Sequence, residues 1–297
     1  MKFIKKLLPR SIKNKIKAAA GITNDTRIMQ ISADIASRKI AKSVAANNIK
    51  FKNKIVVVTG ASGFIGKAIA LRFLEDGAVV YACGRNKEKL EKTFEDTPNS
   101  SLFFLQMDIT SSDSVKKAFN TILEQHKKID ILVNCAGGSA RDDWSYIYNQ
   151  KDEVISDIIN TNLYGTLLCI KYASKCMIEN HYGKIINIAS TVGVGGKAGF
   201  SEYAASKAGI IGATKSLAIE LGEHGITVNC VTPGIVNRGD FSESKLNEII
   251  EKNCLRSIGT ADDISYGVTF FASDEANFIT GQNVIIDGGR SLGLKGD

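Results

Sequence analysis

Between residues 55 and 288 the chain alternates short apolar runs with stretches of helical spacing. This alternation restricts the fold more than any other feature of the sequence. IVVVTG (55–60) opens the series, followed by AVVYAC (78–83), LFFLQM (102–107), IDILVN (129–134), KIINIAS (184–190), ITVNCV (226–231) and NVIIDG (283–288). A strand with one wet face alternates apolar and polar residues, whereas a run that is apolar throughout is buried on both faces. Such strands, joined by helices, make a parallel sheet covered on each side. Right-handed crossovers wind it in two directions. The expected fold is α/β, a doubly wound parallel sheet of seven strands.

The first run ends in Thr59-Gly60-Ala61-Ser62-Gly63-Phe64-Ile65-Gly66 and passes straight into a helical pattern from Phe64 to Asp76. Glycines here permit a tight turn, close approach of backbone to a pyrophosphate, and close packing of helix on strand. The phosphate charge is met by the helix N-terminus. In this position the loop marks a Rossmann-type dinucleotide site, with Gly60, Ser62, Gly63, Phe64, Ile65 and Gly66 around the pyrophosphate. An acid at the tip of the second run would bind a ribose 2′-hydroxyl, but the chain reads Cys83-Gly84-Arg85-Asn86. A guanidinium suits a 2′-phosphate, so Arg85 favours NADP over NAD. Asp108, followed by Ile109, ends the third run and is expected at the adenine. Asn134-Cys135-Ala136-Gly137 ends the fourth, again at the carboxyl end of a strand where ligands bind in this architecture. Asn134 has a second reading, as a tie between neighbouring strands.

The fifth run ends at Ser190, and Tyr203 and Lys207 follow in SEYAASK. Residues four apart on a helix share one face. A tyrosine titrates near ~10, and a neighbouring ammonium lowers that value. Such a phenol exchanges a proton with a substrate oxygen near neutral pH. Ser190 would point its hydroxyl at the same oxygen.

These residues, together with NCAG at 134–137, Asn162 in NTNLYG, Pro233-Gly234 and ITGQNVIIDGG at 279–289, resemble the short-chain dehydrogenase/reductase family over about residues 52–290. The likeness is to its single-domain branch, which includes 3-oxoacyl-thioester reductases and many ketone reductases. The resemblance implies Tyr203 as general acid, with Lys207 binding the nicotinamide ribose and depressing the tyrosine's pKa. It implies that Ser190 polarises the carbonyl and that Asn162 anchors a water linking Lys207 to solvent. Pro233, Gly234 and Ile235 would lie against the nicotinamide, and Ala136 and Gly137 along the cofactor. It further implies a homo-oligomer, dimer or tetramer, built on the helices around 151–180 and 202–222 and on the last strand. Two departures stand out. The glycine loop reads TGxxGFIG, as in the longer extended branch, yet the chain ends soon after IIDGG. The Thr often found after the Pro-Gly is absent from PGIVNRGD, where Asn237 and Arg238 stand nearby. Loops at 138–150, 191–202 and 236–256 should line the substrate end. They carry Trp144, Phe200 and Phe241 as pocket wall or core, with Arg141, Lys197 and Arg238, and residues 238–254 read as a short helix able to act as a lid.

The residues before the first run are of another kind. Residues 1–54 hold fourteen Lys/Arg and two Asp, a net of +12 in a chain of net charge +7, leaving the rest mildly acidic. Residues 1–50 are read as a basic, partly helical extension, with a helix over 25–46, and 51–297 as the catalytic domain, joined through a linker read over Asn47 to Asn53. The mixture of apolar and basic residues in 1–20 suits peripheral contact with an anionic membrane. It does not suit nucleic acid, since the body adds no basic surplus. Six cysteines show neither a C-x-x-C pair nor metal spacing with the three histidines, so no metal site is expected. They read as reduced, buried side chains of a cytoplasmic protein. The leading expectation is an NADP(H)-dependent oxidoreductase that interconverts a small carbonyl substrate and a secondary alcohol. The alternatives are a keto-sugar reductase of surface-glycan assembly and a non-catalytic dinucleotide-binding sensor or scaffold.

Overall fold

The seven apolar runs form the strands β1 Ile55–Thr59, β2 Val79–Gly84, β3 Leu102–Gln106, β4 Ile131–Asn134, β5 Gly183–Ile188, β6 Ile226–Pro233 and β7 Asn283–Ile286. The structure, a computed structural model, describes residues 50–139 and 143–293. The strands make one sheet in the order β3-β2-β1-β4-β5-β6-β7, every adjacent pair parallel. The chain winds outward from β1 to β3, then returns to lay β4 against the other side of β1. Loops therefore diverge above the carboxyl ends of β1 and β4 and open a crevice there. This is the expected Rossmann-type architecture.

Side chains on successive strand residues point to opposite faces, and the core divides accordingly. Val56, Val58, Val80, Ile131 and Val133 pack on one face against α1 (Phe64–Glu75), α2 (Lys87–Thr93) and α9 (Ala261–Phe271). Ile55, Val57, Tyr81, Leu132 and Ile185 pack on the other against α3 (Ser112–His126), α5 (Gly165–Glu179) and α7 (Ser201–Gly222). Remaining helices are α4 (Asp152–Ile159), the single turn α6 (Val192–Gly195) and α8 (Glu243–Lys252). Several starts are fixed by side chains. Ser111 accepts from Ser114 N before α3, and Thr260 and Asp263 form a capping box before α9.

Two details differ from the sequence-based expectation. Residues 47–53 read as a linker, yet Phe51 is buried against Phe73, ring centroids 4.9 Å apart, and its N–H donates to Asp76 O. The stretch 151–180 read as one helix, but α4 and α5 are joined by a π-helical turn at Asn160–Tyr164. Such turns hold one extra residue and recur at functional sites; this one turns Asn162 inward. Of the six cysteines, Cys83, Cys169, Cys176 and Cys230 are buried as expected, Cys135 is half-buried, and Cys254 is exposed. The expectations for residues 1–20 and 25–46 lie outside the described residues, as does Arg141. Among the described residues no helix is long and apolar enough to cross a membrane.

Candidate active site

The crevice is a cleft of about 1800 Å³ running from the glycine loop to the loops after β4, β5 and β6. At its cofactor end, Gly60 sits at φ 66°, and a Cβ there would lie 2.6 Å from Ala136 Cα. Only glycine permits both that backbone and that approach. The turn is held from beneath by Thr59, whose buried hydroxyl accepts from Cys135 N and Ala136 N at 3.1 and 3.0 Å. Sequence reading quoted Thr59 without giving it this work; its place directly before Gly60 was the available signal. Helix α1 starts at Gly63 with no side-chain cap, so its first N–H groups face the cleft with no side chain bonded to them. An uncapped helix N-terminus behind a cradle that a Cβ would fill fits a pyrophosphate.

Gly60, Ser62, Gly63, Phe64, Ile65, Gly66, Arg85, Asp108, Ile109, Ala136, Gly137, Pro233, Gly234 and Ile235 all line the cleft. Asn134 does not, and its placement among the cofactor contacts is corrected here. It is buried, and its Nδ2 donates to Asn187 Oδ1 at 2.9 Å, tying β4 to β5. Asp108 Oδ1 accepts from Thr110 N and Oγ1 at 3.0 and 2.8 Å, which fixes the carboxylate in the wall. Lys89, which the sequence reading passed over, lines the cleft beside Arg85 because α2 brings it back to the strand tip.

The chemical centre lies between β5 and α7. Lys207 Nζ stands 5.9 Å from the centroid of the Tyr203 ring, and both residues face the cleft with Ser190. Ser190 Oγ accepts from Val192 N at 3.2 Å. The turn α6 lies against α7 through Gly193, where a Cβ would meet Lys207 Cβ at 2.7 Å. This close approach brings the Ser190 loop onto the Tyr203 helix. Lys207 is 4% exposed and donates to Ile188 O at 2.9 Å. Burial pushes its ammonium down to about 8. The neighbouring Cys135 thiol is pushed by burial up to about 11, against the pull of Lys207 and Arg238.

Asn162 is wholly buried. Its Oδ1 accepts from Gly138 N at 3.0 Å, and its Nδ2 donates to Gly138 O at 3.0 Å and to Ser206 Oγ at 2.9 Å. Ser206 in turn donates to Tyr203 O at 2.8 Å. The amide therefore clamps the loop after β4 to the helix that carries Tyr203 and Lys207.

At the substrate end, Lys197, Phe200, Arg238 and Phe241 line the cleft with Lys245 and Ile249 of α8. The Lys197 ammonium rests 4.1 Å over the Phe200 ring. Trp144 is exposed and is neither pocket wall nor core. Asn237 Oδ1 accepts from Gly239 N and its N–H donates to Gly259 O, so Arg238, not Asn237, enters the cleft.

The Lys207 shift has a consequence for stability. Below about pH 8 the ammonium is buried at full cost. Above that value the folded lysine is neutral, while the unfolded one keeps its proton to ~10.4. The unfolded chain then binds the extra proton, and this residue's contribution to stability rises with pH. Relative to Lys207→Met, wild type is expected to gain about 2–3 kcal/mol between pH 7.5 and 10, read from urea unfolding. A difference that stays flat across that range would contradict a buried, protonated Lys207.

A parallel sheet with a glycine cradle at its switch point and a serine, tyrosine and lysine across the cleft defines an NAD(P)-dependent oxidoreductase. The chain belongs to the short-chain dehydrogenase family: the model described as short chain dehydrogenase matches residues 54–248. It is similar to the 3-oxoacyl-(acyl-carrier-protein) reductase FabG of Staphylococcus epidermidis, 38% identical over 248 residues, which cover 81% of this chain and 100% of the relative. The protein of the same name from Staphylococcus aureus is 39% identical over 248 residues, covering 80% and 98%. That of Rickettsia conorii is 39% identical over 252 residues, covering 82% and 99%.

Proposed function

We propose that the protein reduces the ketone of a 3-oxoacyl thioester, or a small ketone like it, to a secondary alcohol with NADPH. The observation that carries this reading is Lys207 beside Tyr203, with Ser190, on the wall of a cleft whose far end is a pyrophosphate cradle. A nicotinamide held against Pro233, Gly234 and Ile235 would supply the hydride to the carbonyl carbon. Ser190 Oγ holds the carbonyl oxygen, and Tyr203 Oη gives that oxygen its proton, so charge does not accumulate there. Lys207, protonated below about pH 8, stabilises the phenolate left behind. Asn162 keeps Gly138 and Ser206 around the pair. Its backbone carbonyl oxygen accepts from Thr166 Oγ1 at 2.7 Å, and in this reading the residue anchors the water that leads a proton back to Lys207. A homo-oligomer belongs to the same reading. Tyr164, Leu167 and Ile219 on the helices, and Val284 and Ile285 on β7, are exposed apolar side chains that such an assembly would cover.

Arg85 and Lys89 side by side support NADPH over NADH, since both are cations at the strand tip where a 2′-phosphate would fall. Arg85→Ala is expected to raise the NADPH KM by about ten- to a hundredfold, the worth of a charge-assisted hydrogen bond. NADH kinetics should change less than about twofold, because NADH lacks the phosphate. Equal losses for the two would count against the NADP reading. NADPH consumption across a panel of 3-oxoacyl thioesters and small ketones tests the reaction itself, and a panel with no turnover would overturn it.

A further inference from the structure

The loops over the substrate end sort their charges. Residues 236–256 hold four basic and four acidic side chains, yet of these only Arg238 and Lys245 reach the cleft. Residues 191–202 add Lys197, while their one acid, Glu202, is not on the cleft wall. Among the described residues these two loops thus give the cleft three cations and no carboxylate. The C-terminal turn adds Asp287 and Arg290, and α4 adds Asp157; even with them the cations outnumber the acids. Lys245 is offset by Glu248, Nζ to Oε2 2.7 Å. Lys197 makes no ion pair among the described residues, and its ammonium rests 4.1 Å from the centroid of the Phe200 ring.

Arg238 is aimed by its backbone. On one side Val236 pairs in parallel with Gly259, and Asn237 N donates to Gly259 O at 2.8 Å. On the other, Gly239 at φ 86° turns the chain, and its N–H donates to Asn237 Oδ1 at 2.9 Å. The guanidinium held between them enters the cleft. Its charge acts, together with that of Lys207, on the Cys135 thiol just beyond the end of β4. Lys197 comes from the loop after β5 and Arg238 from the loop after β6, so the two cations approach the Ser190–Tyr203 centre from adjoining walls. A guanidinium takes a carboxylate or phosphate through two parallel hydrogen bonds, and a nearby ammonium adds a point charge. The cofactor's phosphates have other donors in this reading, at the N-terminus of α1 and on Arg85 and Lys89. An anion at the opposite end would therefore arrive with the substrate.

We propose that Lys197 and Arg238 bind an anionic group, carboxylate or phosphate, carried by the ketone substrate itself, and so select an acidic ketone over its neutral analogue. This inference rests on the reading of the cleft as a ketone-reducing site. The test uses matched pairs: acetoacetate and levulinate against their methyl esters, and dihydroxyacetone phosphate against dihydroxyacetone. The variant is the double substitution Lys197→Gln with Arg238→Gln. What is read is the ratio of kcat/KM for the acid to kcat/KM for its neutral partner, because the differing reactivity of the two carbonyls cancels between wild type and variant. For at least one pair the ratio is expected to fall about tenfold or more in the variant, the worth of a hydrogen bond to a charged group. The loss should appear in the KM of the acid, as for an interaction made before the chemistry. In wild type alone, raising salt from about 0.05 to 0.5 M should lower the same ratio, since salt screens exposed charges; this arm needs no variant to fold. A ratio that moves less than about twofold in every pair, on substitution or with salt, would overturn the assignment. So would a variant that binds NADPH and NADH more weakly by calorimetry with no change of ratio, which would give the two cations to the cofactor. Wild type that reduces neutral ketones or thioesters but none of these acids would overturn the anion site and leave the reaction standing. A protein that reduces no ketone at all would overturn both.

Discussion

Tyr203→Phe is expected to fold and to bind NADPH as wild type does, and to lose about two to four orders of magnitude in kcat, the usual contribution of a positioned acid. The ring remains, so the packing of α7 and its 5.9 Å relation to the Lys207 ammonium are kept. Only the proton donor goes. The backbone clamp is also untouched, because Ser206 bonds the Tyr203 carbonyl and not its side chain. Turnover is read from NADPH consumption under saturating ketone, and binding from quenching of protein fluorescence. The two together separate chemistry from recognition. If kcat fell less than about tenfold, the proton would be coming from elsewhere and the assignment of Tyr203 would fail.

The second large effect is expected at Gly66. A Cβ there would stand 2.3 Å from Gly60 O, 2.9 Å from Gly60 C and 3.0 Å from Ala61 Cα. All three atoms are backbone, so nothing can swing aside. Gly66→Ala must push the first turn of α1 away from the turn after β1, which separates the two parts of the phosphate cradle. Overpacking of this kind costs about 1–3 kcal/mol, and the same displacement should weaken NADPH binding by about tenfold or more. Gly212→Ala on α7 is the control, because a Cβ there meets nothing within 4 Å in its own chain, and its mass by light scattering reads any effect on an assembly of copies separately. Ala exceeds Gly in helices by about 1 kcal/mol, so this variant should be neutral or slightly stabilised and keep its cofactor affinity. If the two alanines behaved alike, close packing at the cradle would not be what the glycine serves.

The sheet was legible in the sequence because its inner strands, buried on both faces, carry few polar residues to blur them; Val56 to Val58 could hardly lie elsewhere. Tyr203 and Lys207 were legible because a spacing of four has one geometric meaning on a helix. The π-helical turn was not. NTNLYG carries no proline, and the extra residue is stabilised by partners far along the chain, Gly138 and Ser206. Asn134 was assigned to the cofactor from its place at a strand end, but its side chain turns into the sheet toward Asn187. Strand-end position names a neighbourhood, and which way the last side chain points depends on the adjoining strand. Trp144 and Phe51 exchanged their expected environments for the same reason. Hydrophobicity says that a residue can be buried, and only the tertiary path says whether it is.

The π-helical turn joins two parts of the protein that would otherwise vary separately. Each residue advances a helix by about 100°. Removing one residue from Asn160–Tyr164 would therefore restore a plain helix and rotate everything after it by that angle. Leu168, Cys169 and Met177, now buried in the core beneath the sheet, would swing off their packing positions as Asn162 left the clamp. Local sequence length here is a shared constraint: an ancestor or a designer cannot shorten this segment to rebuild the reaction centre without also rebuilding one layer of the core.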